Sequence, residues 1–70
     1  MRIVSTPRVV NAYVGRDLIQ WTKGSHTANV YNACNEECDV FTFAWEKNEP
    51  AMLDFTTALQ SYLDYVNTPY

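Results

Sequence analysis

In the stretch "NEPAMLDFTTALQSYLDYVN", Met52, Phe55, Leu59, Tyr62, Leu63 and Val66 recur at helical spacing, while Asp54, Thr57, Ser61 and Asp64 share the opposite face. The spacing predicts an amphipathic C-terminal helix. Asn48 or Glu49 is placed to cap it, and Pro50 suits a first turn, where its missing N–H has no partner to lose. Asp54 favours the positive end of the helix dipole, and Asn67 can take a left-handed cap before Pro69 ends the element.

The pattern changes upstream. In "DVFTFAWE", Phe41, Phe43 and Trp45 alternate with Thr42, Ala44 and Glu46, the period of two expected of a half-buried strand. "SHTANVYNA" supplies a hairpin partner, with "CNEEC" as the connection. "RDLIQWTKGS" and "RVVNAYVGRD" each read as a strand entering a turn. A helical period at Val10, Val14 and Leu18, and a helix capped by Ser25 and running to Cys34, compete with this reading over residues 8–34. Pro7 sets off a short N-terminal arm. The resulting expectation is one α+β domain over residues 1–70. It is an antiparallel meander of three to four strands with the helix packed on one face, and Phe43 and Leu59 meet across that interface.

Composition narrows the classes. With 70 residues, 47% hydrophobic and 19% charged, the chain is too apolar to stay disordered, yet close to the smallest size that folds unaided. A homodimer would relieve that shortage of core. "MRIVSTPRVV" lacks a signal-peptide core, and no run reaches the roughly 18 apolar residues of a membrane span, so a cytoplasmic protein is expected. Residues 1–23 carry Arg2, Arg8, Arg16 and Lys23 against Asp17, a net +3. Residues 24–70 carry only Lys47 against seven carboxylates, a net −6. Five scattered basic residues argue against direct nucleic-acid binding and leave a protein with a basic surface as the expected partner.

The candidate chemistry is confined to "ACNEECD". Cys34 and Cys38 would face each other across a hairpin with a three-residue turn, within reach of a disulfide. A reducing cytosol favours free thiols instead. Metal binding would have only His26 to add to the pair, short of an ordinary zinc set, so no cofactor or metal is expected. Cys-His catalysis would need His26, read as an exposed turn residue, beside a cysteine in a chain with little room for a pocket. No catalytic residue is assigned. Glu36, Glu37 and Asp39 crowd one turn, and Tyr31 and Tyr65 stand as aromatic anchors beyond the needs of the core. Together they form the expected partner-binding set, the alternative being a merely solvated rim.

In size, acidity, sheet-plus-helix build and lack of a catalytic motif, the chain resembles the small proteins that phages and mobile elements make against host defences, anti-CRISPR proteins among them. The resemblance implies a non-enzymatic inhibitor acting stoichiometrically on a bacterial defence or nucleic-acid-processing complex, in the cytoplasm of the host cell. A small regulatory or antitoxin-like subunit shares the same properties, and a thiol redox or metal-binding protein using Cys34 and Cys38 is the third class.

Overall fold

The computed structural model describes residues 1–67. Five strands precede one helix: β1 (Arg2–Ser5), β2 (Val9–Val14), β3 (Asp17–Thr22), β4 (Thr27–Tyr31), β5 (Glu37–Thr42) and α1 (Met52–Asn67). Each strand pairs antiparallel with its sequence neighbour, in the order β1-β2-β3-β4-β5, and the fold is α+β. The expected meander is present with a larger strand count. The arm set off by Pro7 is itself the edge strand β1, paired from Arg2↔Tyr13 to Ser5↔Val10. The helical alternative for residues 8–34 is replaced by β2, β3 and β4.

The turns explain why the strands reverse where they do. Gly15, at φ 59°, opens the two-residue link between Val14 and Asp17, which suits the twist of a tight hairpin. Gly24, at φ 89°, follows Lys23 in a turn closed by the Ser25 N–H donating to the Thr22 carbonyl at 2.9 Å.

Alternation along the strands divides the sheet into two faces. Val10, Ala12, Ile19, Trp21, Ala28 and Val30 are buried on the face toward α1. Phe43, Phe55 and Leu59 join them, so the expected pair Phe43 and Leu59 does meet in one cluster. Trp21 stacks on Phe55 at 5.2 Å and 11°, and its indole N–H donates to the Ser25 carbonyl at 2.7 Å, so the largest buried ring has no unpaired polar atom.

Three expectations are corrected. Trp45 does not continue the inward row of Phe41 and Phe43: β5 ends at Thr42, Ala44 turns the chain at φ 53°, and Trp45 is left 77% exposed. The helix begins at Met52, later than a cap at Asn48 or Glu49 would put it. Its capping carboxylate is Asp54, which accepts from the Ala51 N–H at 2.8 Å and from Lys47 Nζ at 2.7 Å, half of a capping box. Pro50 thus precedes the helix; it is buried and stands at the position that packs against Phe55 in a hydrophobic staple. Met52 and Val66, assigned to the inner stripe, are 38% and 49% exposed at its margins. Asn67 closes the described helix, and the Pro69 stop signal lies outside the described residues.

Candidate binding groove and the acidic turn

The segment joining β4 to β5 is organised by Asn32. Its side-chain oxygen accepts from the Cys34 N–H at 2.9 Å and the Glu36 N–H at 3.0 Å, while its backbone N–H donates to the Glu36 carbonyl at 2.9 Å. Asn35 takes the left-handed conformation, at φ 61°, that an asparagine tolerates. Side-chain capture of backbone amides is what holds this turn, so it does not depend on a bond between the cysteines.

The cysteines do not face each other. Val30 pairs with Asp39 and Tyr31 with Glu37, which leaves Cys38 as the additional residue of a β-bulge and Cys34 at the tip of the loop. Both are exposed free thiols. No cluster of three or more His, Cys, Asp or Glu side chains suited to a metal occurs among the described residues. His26 is half-buried rather than an exposed turn residue, and its Nδ1 lies 3.3 Å from the Phe43 carbonyl.

The same bulge separates the three carboxylates expected to act together. Asp39 points to the helix side, where Tyr62 Oη donates to its Oδ2 at 2.9 Å. Glu37 lies on the uncovered face, where it accepts a hydrogen bond from Asn29 Nδ2. Glu36 stays in the connecting loop. Tyr31, opposite Glu37, belongs to the uncovered face, and Tyr65, 71% exposed, belongs to the helix. The structure therefore brings Tyr31 to Glu37, but neither to Tyr65.

Tyr65 instead lines a groove between β5 and α1. Phe41, Thr42, Phe43, Ala58, Ser61 and Tyr62 complete it, and its volume is about 370 Å³. Phe41 stacks on Tyr62 at 4.8 Å and 16° and is tilted at 41° to Phe43, so one wall is a stacked ring pair continuous with the core. Burial first, then the hydrogen bond and charge of Asp39, with smaller contributions from Cys38 and Asp17, push the Tyr62 hydroxyl up to about 12. The Asp39 carboxylate, bonded to this phenol, makes this end of the groove electronegative.

Asp39 has a second task. The Phe43 N–H donates to the His26 carbonyl at 2.9 Å, so the alternation of an antiparallel ladder turns the Val40 and Thr42 backbone outward at the sheet edge. Asp39 Oδ1 accepts from the outward Val40 N–H at 2.8 Å. One carboxylate thus occupies an edge donor and anchors the helix through Tyr62.

Comparison with known proteins finds no family model, no curated protein and no solved structure that matches this chain. No helix among the described residues is long and apolar enough to cross a membrane.

Proposed function

We propose that this protein is a non-enzymatic binding module, a stoichiometric inhibitor that clasps a basic segment of a bacterial defence or nucleic-acid-processing complex in the groove between β5 and α1. The observation that carries this reading is the meeting of aromatic rings with a carboxylate: Phe41, Tyr62 and Tyr65 line the groove, and Asp39 is bonded to Tyr62 at one end of it. Ring faces attract a guanidinium or ammonium group within about 6 Å, and they do so more strongly when partly shielded from water. Asp39 spends one acceptor direction on the Val40 N–H and one on Tyr62, while an ionised carboxylate has about four such directions. An arginine stacked on Tyr62 or Tyr65 thus has a carboxylate within its reach. The inhibitor reading, and with it residence in the cytoplasm of a bacterial cell, is supported by small size, acidity and the sheet-plus-helix build.

The test is an NMR titration with an extended heptapeptide of alternating arginine and leucine, against the same peptide with glutamine for arginine. The basic peptide should shift the amides of Phe41, Ala58, Ser61 and Tyr65. Asp39→Asn and Tyr65→Ala should each weaken it about tenfold, the scale of one charge-assisted or aromatic contact. Equal affinity for the two peptides, or shifts confined to the opposite sheet face, would overturn the reading. Partner copurification from bacterial lysate should then fall with the same two variants.

A further inference from the structure

The sheet face away from α1 carries two cross-strand rows that run through all five strands. The first is Arg2, Tyr13, Leu18, Tyr31 and Glu37. The second is Val4, Asn11, Gln20, Asn29 and Val40. Each row reads nearly the same in both directions about its β3 member: tyrosine flanks Leu18 on both sides, and asparagine then valine flank Gln20 on both sides. The first row ends in opposite charges, Arg2 on β1 and Glu37 on β5, and these are the only charged residues in the two rows. No element of the chain covers this face among the described residues, and Tyr13, Val4 and Val40 are 37%, 40% and 52% exposed on it.

We propose that this face is the interface of a homodimer whose two-fold axis runs parallel to β3. That axis turns one sheet over onto the other while keeping each row on itself and reversing its order. Arg2 then faces Glu37 of the second copy, Tyr13 faces its Tyr31, Val4 faces its Val40, and Asn11 faces its Asn29. Leu18 and Gln20 meet their own counterparts. The alternative axis, parallel to the rows, would set Arg2 on Arg2 and Glu37 on Glu37 if it lay over the first row, or Arg2 on Val4 and Glu37 on Val40 if it lay between the rows, so only the axis parallel to β3 pairs the opposite charges. Symmetric pairing also closes the assembly at two copies.

The size of the face is consistent with this. Strands about 4.8 Å apart and residues rising about 3.4 Å make it roughly 24 by 20 Å, so two copies cover about 1,000 Å², the lower bound for a specific interface. The packed sheets cross at about 30°, a displacement that the long side chains of Arg2 and Glu37 can span at the row ends. A second copy is favoured over a foreign partner because the charges and the side-chain order on this face already complement themselves. The inference is independent of the β5–α1 groove, which lies on the other layer and remains open in the dimer.

The test is sedimentation velocity of the full chain over a concentration series, with Arg2→Glu, Glu37→Arg and the double exchange. Wild type should pass from 8.1 kDa to twice that mass as concentration rises. Each single reversal should raise the dissociation constant about tenfold or more at low salt, and the double exchange should restore it to within about threefold, since it re-forms the pair in the opposite sense. Isotope-filtered NOEs between the Tyr13 ring of one copy and the Tyr31 ring of the other, measured on wild type, give a check that needs no variant. A monomer at all concentrations would overturn the proposal. So would a dimer indifferent to both single reversals, as expected if the copies joined through the β1 edge, or capture of a foreign protein by this face with no self-association.

Discussion

Phe55→Ala probes the contact on which the two layers depend. The side chain is fully buried, stacked on Trp21 at 5.2 Å and tilted against Phe43 at 6.2 Å, so its removal opens a void bounded by two rings that are already held against each other at 6.2 Å. Truncation of a buried phenylalanine costs about 3–5 kcal/mol, and loss of an aromatic pair contributes about 0.5–1.5 kcal/mol of that beyond simple burial. A core of this size supplies only about 3–5 kcal/mol in total. The cost is thus comparable to the whole stability, and the variant should lose most of it at 25 °C. The assay is urea denaturation followed by Trp fluorescence and near-ultraviolet circular dichroism, with Leu53→Ala as control on the same helix. Leu53 is 76% exposed, and its truncation should stay within about 0.5 kcal/mol of wild type. A cooperative transition for Phe55→Ala within about 1 kcal/mol of wild type would refute the view that Trp21 and Phe55 join sheet to helix.

Asp39→Ala should lower the titration midpoint of Tyr62, read by absorbance near 295 nm, although burial will hold part of the shift, since burial is its largest cause. Because the folded-state value of Tyr62 is raised from 10.0 to about 12, folding favours the protonated phenol; its contribution is intact below pH 10 and should be lost as pH rises toward 12, seen as a falling urea midpoint. Cys34→Ser with Cys38→Ser should leave stability nearly unchanged and wild type should titrate two thiols under denaturing, non-reducing conditions, whereas a loss of about 2 kcal/mol would point to a disulfide. Gly15→Ala should cost about 1 kcal/mol or more by chemical denaturation, through φ 59° alone, because an added Cβ meets nothing within 4 Å.

How much of this could be read from the sequence follows from the reach of each physical signal. The helix and β5 were legible because Phe55, Leu59 and Tyr62 repeat at a helical period and Phe41 and Phe43 at a period of two. β1 is not legible in the sequence because four residues ahead of a proline carry too little pattern, and its strand character comes from pairing with β2. The alternation, extended past Ala44, puts Trp45 inward, and no residue type there announces the positive φ of Ala44. In the candidate site, Tyr65 was legible as a helix residue outside the core, but the groove beside it was not, since it arises from where α1 crosses β5. Asp39 was recoverable: the alternation that puts Phe41 and Phe43 inside puts Asp39 there as well. Its separation from Glu37 was not, because that depends on the bulge at Cys38, a feature of pairing rather than of composition. Asn32 falls within the stretch that reads as a strand, "SHTANVYNA", although an asparagine opening a short turn is a recurrent way to hold backbone amides.

The nearest-neighbour strand order bears on how the chain acquires its shape. Two residues separate β2 from β3, four separate β3 from β4, and five separate β4 from β5, so each hairpin closes a short loop at small entropic cost. Such local pairings fold faster than sheets built from distant segments. The packing of α1 is the non-local part of the fold, since Phe55 meets Trp21 from far along the chain. During synthesis α1 also emerges after all five strands. Until α1 is made, the sheet face bearing Val10, Ile19 and Trp21 has no cover from this chain, and that is when the chain is most exposed to aggregation.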